Sequence, residues 1–159
     1  YNVPKFASID ISPALVRQLA PHPNVLGIKE SSAKMSKLTE LLHFATSNFH
    51  VLIGNDTLFL PGLFMGASGA ILALSNVAPH ACVEIYRLFG EKSYNQARQI
   101  YIKLIPLARI LTKTYGIPAI KAALDLLGFY GGKPREPLLP LSPEKIDEIR
   151  TLLKQAELL

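Results

Sequence analysis

The apolar residues of this chain follow two alternating patterns over the first 92 positions. Short continuous apolar runs are typical of strands in parallel sheets that are covered on both faces. Apolar residues that recur every three or four positions are typical of helices. The predicted strands are residues 25–28, 51–53 and 70–74, with Tyr1-Asn2-Val3 as the end of a further strand. The predicted helices between them are residues 14–20, 37–44, 57–65 and 79–89.

The order of these elements predicts an α/β fold. Strand starts near positions 25, 51 and 70 have the spacing that repeated βα units need. Four such units make half of a (β/α)8 barrel. A flavodoxin-like sheet would need a fifth strand, and none follows residue 74. We therefore expect a half-barrel over residues 1–92 and an all-helical C-terminal subdomain over residues 93–159.

Local signals place several helix ends. Ser12-Pro13 and Ser142-Pro143 each combine a preferred N-cap residue with proline at the first helical position. Pro106 lies inside a long apolar-periodic segment and predicts a kink there. Gly116 predicts the end of that helix.

Composition excludes several classes of protein. The chain has 159 residues, of which 49% are hydrophobic and 18% charged, which excludes a disordered chain. No apolar run reaches the length that spans a bilayer, so no membrane partner is expected. The net charge of +5 is scattered, without the basic stripe and stacking aromatics that nucleic-acid binding needs. It suits small anionic substrates instead.

Cysteine and histidine usage narrows the chemistry further. One cysteine, Cys82, excludes a disulfide framework within the chain and predicts a reducing, cytoplasmic location. The four histidines lie far apart in the sequence and form no ligand motif, so no metal site is expected. The chain does not begin with Met, and we expect it to be a trimmed or partial chain.

Lys29 is the first candidate for chemistry. It follows the predicted strand 25–28, and in barrels the carboxyl ends of the strands form the active-site face. Apolar surroundings favour the neutral amine, which can attack a ketone and form a Schiff base. A lysine at a strand end can also simply reach into solvent. Tyr1 ends the preceding strand, so its phenol could move protons beside Lys29, or it could be a packing residue.

Two glycine-containing segments lie at the other strand ends. Gly54-Asn55-Asp56 follows the strand 51–53, and Gly66-Ala67-Ser68-Gly69 precedes the strand 70–74. Glycine at such positions lets a ligand approach the backbone. Asp56 could accept a hydrogen bond from a substrate hydroxyl, or it could be the N-cap of the helix that begins at Thr57.

Together these motifs resemble the dihydrodipicolinate synthase/N-acetylneuraminate lyase family of class I aldolases. The motifs that match, in order, are Tyr1-Asn2-Val3-Pro4, Gly27-Ile28-Lys29-Glu30-Ser31-Ser32, Gly54-Asn55-Asp56, Gly66-Ala67-Ser68-Gly69-Ala70-Ile71 and, in the tail, Gly128-Phe129-Tyr130-Gly131-Gly132. The resemblance covers the whole of this chain but only the C-terminal half of a family member. It therefore implies the C-terminal half of a (β/α)8 barrel followed by a helical extension.

The resemblance also implies a reaction. Lys29 matches the lysine that forms a Schiff base with pyruvate or another 2-oxo acid, and Tyr1 matches the tyrosine that relays protons. The positions of Ser31, Gly54, Asp56 and Ile71 match residues that line the substrate pocket. The covalent imine replaces a cofactor, so neither a cofactor nor a metal is expected.

The resemblance leaves the finer function open. Phe6 stands where dihydrodipicolinate synthases usually have an arginine for a substrate carboxylate, and the tail is closer to 4-hydroxy-2-oxoglutarate aldolases. We expect an aldolase of the latter kind, with a dihydrodipicolinate synthase-type condensation or a non-catalytic half-barrel fragment as alternatives. The expected partners are the missing N-terminal half or further copies of the chain, since family members are commonly tetramers.

Overall fold

The computed structural model of the protein describes all residues from 1 to 159. A three-stranded parallel sheet of β1 (Gly27–Glu30), β2 (His50–Ile53) and β3 (Gly69–Ala70) lies in the first part of the chain, with β2 in the middle. Asn2 forms an isolated parallel bridge with Glu30. Strands that neighbour each other in the sheet are also successive along the chain. The sheet therefore winds in one direction, as a barrel does, and does not reverse its order as a flavodoxin-like sheet does.

The observed strands differ from the predicted ones in position and length. The prediction for β2 is confirmed. β1 begins two residues later than predicted because Val25 N donates to His22 O at 2.9 Å, which closes a turn ahead of the strand. Lys29 is therefore the third residue of β1 and does not follow it. β3 ends at Ala70, and a 3-10 turn occupies Leu74–Asn76.

Four helices accompany these strands. Ser12 Oγ accepts a hydrogen bond from Leu15 N at 3.2 Å, and Pro13 is the first helical residue, as predicted. The predicted helix over 57–65 is a 3-10 turn at Asp56–Leu58 followed by a short helix. The helices are α1 (Pro4–Ala7), α2 (Pro13–Leu19), α3 (Met35–Leu42) and α4 (Phe59–Phe64).

One face of the sheet is covered by helices. The core between this face and the helices consists of Val16, Ile28, Leu38, Leu41, Phe49, Val51, Ile53 and Ala67. Along β1, Ile28 and Glu30 are buried whereas Lys29 is half-buried. The expectation that both faces of the strands are covered is therefore wrong within this chain. The side chain of Lys29 belongs to the more open face.

The rest of the chain is helical. Its helices are α5 (Pro79–Gly90), α6 (Tyr94–Arg109), α7 (Ile117–Leu126) and α8 (Pro143–Gln155). Pro106 lies inside α6, and a π-helical turn at Ile110–Thr114 continues that helix, with Tyr115 N bonded to Ile110 O at 3.0 Å. Gly116 has a φ of 66°, which favours glycine. Its left-handed conformation separates the π-helical turn from α7.

The chain divides into two compact units, Tyr1–Leu72 and Ala73–Leu159. The first contains the sheet, and the second contains α5 to α8. The boundary at residue 92 in the sequence analysis grouped α5 with the strands, and that grouping stays a prediction. None of the helices has both the length and the apolar character needed to cross a membrane.

Candidate active site

The carboxyl ends of the strands place the predicted site residues at one edge of the sheet. Lys29 lies near the end of β1, Gly54 follows β2, and Ile71 follows β3. Tyr1 directly precedes Asn2, the bridging residue. Because parallel strands all point the same way, these four residues share an edge.

Lys29 and Tyr1 are in direct contact. Lys29 Nζ lies 4.1 Å from the centre of the Tyr1 ring, a distance at which a cation is attracted to the ring face. Backbone bonds fix the two segments to each other: Asn2 N donates to Lys29 O at 2.9 Å, and Ser31 N donates to Asn2 O at 3.0 Å. Tyr1 is 66% exposed. The structure thus brings together an amine and a phenol that lie 28 positions apart in the sequence.

Gly54 makes room for two side chains of β1 and its continuation. A Cβ atom at position 54 would lie 1.8 Å from Ser31 Oγ and 2.9 Å from Lys29 Cε. The main chain is held close, since Gly54 N donates to Glu30 O at 2.7 Å. Only glycine fits here without displacing Ser31 or Lys29, so Gly54 shapes the surroundings of the amine.

Ser31 presents an unsatisfied hydroxyl at this place. Its Oγ atom is buried and has no hydrogen-bond partner. Buried polar atoms are almost always hydrogen-bonded in native proteins, and an unmet one costs about 1–3 kcal/mol. Ser31 Oγ lies beside the side chain of Lys29, where an oxygen of a bound ligand would supply the missing hydrogen-bond partner.

Asp56 and Ile71 lie at the same edge of the sheet because Asp56 follows β2 and Ile71 follows β3. Asp56 is 3% exposed and begins the 3-10 turn after β2. The N-cap of that turn is Asn55, whose Oδ1 accepts from Thr57 N at 3.0 Å, so the interpretation of Asp56 as the cap is wrong. Ile71 is 53% exposed, and its N donates to Ile53 O at 2.8 Å. Their pocket roles stay predictions.

A group of buried polar side chains was missed by the sequence analysis. Asn2 Nδ2 donates to Glu30 Oε2 at 2.7 Å and to Asp10 Oδ1 at 3.0 Å. Lys37 Nζ pairs with Asp10, and it lies 3.6 Å from Glu30 Oε2. We call Asn2, Asp10, Glu30 and Lys37 the buried polar network; Asp10, with 37% of its side chain exposed, is the member that reaches solvent. The one sequence signal for it is that Glu30, the last residue of β1, alternates with the apolar Ile28 on the same face of the strand.

The network shifts the pKa of one of its members. The hydrogen bonds from Lys37 and Asn2 lower the pKa of Asp10 from 3.8 to about 2. Asp10 also pairs with Lys34 Nζ at 3.3 Å. The network therefore keeps Asp10 ionised to a lower pH than an isolated aspartate.

Comparison with known proteins identifies the family. The model of the Dihydrodipicolinate synthetase family matches residues 1–156. The chain is 41% identical over 160 residues to the 4-hydroxy-tetrahydrodipicolinate synthase of Archaeoglobus fulgidus, covering 100% of this chain and 55% of that protein.

Solved structures of the same family have the same fold. A monomeric dihydrodipicolinate synthase variant superposes with a TM-score of 0.93 at 32% identity, over 100% of this chain and 54% of that one. YagE, a prophage protein of E. coli K12 from the dihydrodipicolinic acid synthase family, was solved in complex with pyruvate. It gives a TM-score of 0.91 at 28% identity, over 100% of this chain and 55% of that one.

These matches confirm the half-barrel with its helical extension. The chain spans about half the length of the relatives it matches. Its motifs, its sheet order and the family match over residues 1–156 agree with one another. The chain belongs to the dihydrodipicolinate synthetase family.

Proposed function

We propose that Lys29 forms a Schiff base with the ketone of a 2-oxo acid such as pyruvate, and that Tyr1 moves the protons of this reaction. The observation that carries the proposal is the contact of the Lys29 amine with the Tyr1 ring, 4.1 Å from its centre, at the carboxyl edge of the sheet. YagE, which has the same fold over this chain, binds pyruvate. No cofactor is required, because the imine itself withdraws electrons.

The chemistry follows from an amine and an acid held together. The neutral Lys29 Nζ attacks the C2 carbon, and the carbonyl oxygen takes up a proton to give a carbinolamine. Loss of water leaves a protonated imine. The imine acidifies C3, whose proton departs to give an enamine. The enamine carbon then attacks an aldehyde, whose oxygen takes up a proton as the C–C bond forms. Water hydrolyses the resulting imine and frees the Lys29 amine, and the reverse sequence cleaves a C–C bond.

The neighbouring residues serve the steps that an isolated amine performs poorly. The phenol of Tyr1 donates a proton to the departing hydroxyl and takes one back later, as a general acid and base. Ser31 Oγ donates its proton to a carboxylate oxygen of the 2-oxo acid. Gly54 leaves the room that this oxygen needs. Asp56 and Ile71 complete the pocket on the side of β2 and β3.

The names of the relatives favour a dihydrodipicolinate synthase-type condensation over the expected 4-hydroxy-2-oxoglutarate aldolase reaction. Relatives such as that of Archaeoglobus fulgidus are named 4-hydroxy-tetrahydrodipicolinate synthases. We therefore propose a dihydrodipicolinate synthase-type condensation as the reaction of the whole enzyme. Phe6, 70% exposed, places an apolar ring at the position where the family usually has an arginine for a substrate carboxylate. The aldehyde's carboxylate must then be bound by another group.

The chain is proposed to act with a partner. Its first unit exposes apolar side chains that packed proteins usually cover, such as Ile9 and Leu26, each 70% exposed. A complementary barrel half or further copies of the chain would cover them. A cytoplasmic location stays a prediction that rests on the single cysteine.

Borohydride trapping tests the proposed function. The chain is incubated with pyruvate and reduced, and the peptides are weighed by mass spectrometry. We expect a carboxyethyl adduct on the peptide that contains Lys29, and none in the Lys29→Arg variant. Lys5→Arg is the matched control, because Lys5 is an exposed lysine close in the chain to Tyr1.

The same assay separates the catalytic reading from a non-catalytic fragment. An adduct that forms equally on Lys5 and Lys29 would reflect exposure alone and contradict the proposal. No adduct, either alone or with the remaining half of a family member added, would favour the fragment.

A further inference from the structure

The buried polar network lies directly behind the candidate catalytic pair. Glu30 follows Lys29 and Asn2 follows Tyr1, and successive side chains of a strand point to opposite faces. Lys29 and Tyr1 therefore meet on the open face while Glu30 and Asn2 meet on the covered face. The Asn2–Glu30 hydrogen bond of 2.7 Å joins the two segments at the level of the Lys29–Tyr1 contact.

The network is built more strongly than strand pairing requires. Asn2, Glu30 and Lys37 are 1%, 4% and 7% exposed. Burying charges costs several kcal/mol per ion unless they are paired and hydrogen-bonded, and apolar residues of similar size hold strands equally well. Backbone bonds between Asn2, Lys29 and Ser31 already connect the segments. The side-chain network therefore adds directional restraint rather than attraction.

The two carboxylate oxygens of Glu30 are contacted by donors that lie outside β1. Oε1 accepts from Ser32 N at 2.5 Å, in the loop that precedes α3, and Oε2 accepts from Asn2. Lys37 reaches Oε2 from α3. Asn2 Oδ1 accepts from Ile11 N at 2.9 Å, in the loop that precedes α2. The carboxylate thus ties the Tyr1 segment, β1 and α3 to one point.

We propose that Glu30 and Asn2, supported by Lys37 and Asp10, are positioning residues that hold the Tyr1 ring against the Lys29 amine. The inference rests on the proposed function for the roles of Tyr1 and Lys29. The network does not touch the substrate. It fixes the distance over which the phenol and the amine cooperate, and a shift of about 1 Å in such a geometry can cost 100-fold in rate.

Glu30→Gln and Asn2→Ser test the proposal. Glutamine keeps the shape of Glu30 but replaces one acceptor oxygen by a donor. Serine is too short to reach both carboxylates, yet it keeps the backbone bonds. Glu84→Gln is the matched control, because it removes a charge from an exposed carboxylate of the second unit, 41% exposed.

The first measurement requires no substrate. In protein with isotope-labelled lysine, the Lys29 Cε–Hε resonance is assigned by its loss in Lys29→Arg. It is expected to be shifted by the ring current of Tyr1, with Tyr1→Leu as the zero point. We expect both network variants to lose more than half of this shift, and Glu84→Gln to keep it.

The second measurement is the rate of borohydride trapping with pyruvate. We expect the rate at saturating pyruvate to fall at least 10-fold in the network variants, with a smaller change in the pyruvate concentration for half-saturation. A folded network variant that keeps the full ring-current shift would overturn the proposal. Loss of folding in both variants would also overturn it, since the network would then serve the fold and not the pair. If the wild-type chain forms no adduct, the proposed function is wrong. The ring-current shift of Lys29 still tests whether the network holds Tyr1 against Lys29.

Discussion

Gly54→Ala is the substitution whose effect the structure predicts most sharply. The new methyl group would lie 1.8 Å from Ser31 Oγ, 2.9 Å from Lys29 Cε and 3.0 Å from Ser31 Cβ, whereas real Cβ atoms essentially never approach closer than 3.0 Å. Rotation of the Ser31 hydroxyl relieves the first overlap but leaves Lys29 Cε at 2.9 Å and a tight contact of 3.0 Å with Ser31 Cβ. Lys29 and Ser31 must therefore move.

The size of the effect differs between stability and reactivity. Overpacking of this kind costs about 1–3 kcal/mol, which urea unfolding followed by circular dichroism resolves. The displacement of Lys29 acts on the reaction more strongly, and we expect trapping of pyruvate to slow roughly 10- to 100-fold. Gly90→Ala is the matched control, because nothing lies within 4 Å of a Cβ at that position. It should unfold and react as the wild type does, or be slightly more stable.

A double substitution isolates the overlap with the hydroxyl. Ser31→Ala removes the atom at 1.8 Å, so the pair Ser31→Ala and Gly54→Ala should recover on the order of 1 kcal/mol relative to the sum of the single changes. Wild-type stability and trapping rate in Gly54→Ala would refute the reasoning. Strict additivity in the double variant would show that Ser31 and Gly54 do not share this space.

Three further outcomes follow from individual contacts. The Tyr115 hydroxyl donates to Glu148 Oε2 at 2.7 Å, which raises the pKa of Tyr115 above 10.0. The stabilisation from this bond is complete below pH 10 and is lost as pH rises through the folded-state pKa. Ultraviolet titration should show a lower pKa of Tyr115 in Glu148→Gln. NMR titration of Asp10 should give a pKa of about 2. The stabilising effect of Asp10 is then present above about pH 4 and is lost as pH falls through the folded-state pKa. The Lys37→Met substitution should raise the pKa of Asp10. Leu41, 0% exposed in the core, should cost about 2–5 kcal/mol in urea unfolding when changed to Ala.

Each of these outcomes has its own control. Leu139→Ala removes the same atoms from a side chain that is 76% exposed, and a change above about 0.5 kcal/mol there would contradict the burial argument. A tyrosine titration that is identical in wild type and Glu148→Gln would deny the bond at Tyr115. An Asp10 pKa that stays at about 2 without Lys37 would show that Lys37 does not lower it.

Features that depend on neighbouring residues in the sequence were predicted correctly, whereas strand ends that depend on pairing with distant residues were not. The Ser12-Pro13 start of α2 depends on adjacent residues and was predicted correctly. The start of β1 depends on pairing with His50, 23 positions after Gly27, and was predicted two residues early. Asn55 and Asp56 are both good capping residues, and only the extended backbone of Asn55, with φ −123° and ψ 123°, made it the cap.

The candidate site was predictable where motifs mark it and not where side chains meet across the fold. Lys29, Tyr1 and Gly54 stand in recognisable motifs. The buried polar network joins residues such as Asn2 and Glu30, 28 positions apart, whose types are common on protein surfaces. Their burial depends on the packing of α2 and α3 against the sheet, which no pattern along the chain records.

The central claim is a covalent bond between Lys29 and the C2 carbon of a 2-oxo acid. Its most direct test is through-bond NMR correlation between isotope-labelled C2 of pyruvate and isotope-labelled lysine Nζ atoms, without reduction. The account predicts one carbon–nitrogen correlation that disappears in Lys29→Arg and persists in Lys5→Arg. A correlation that survives Lys29→Arg, or none in the folded chain joined by the remaining barrel half, would contradict it.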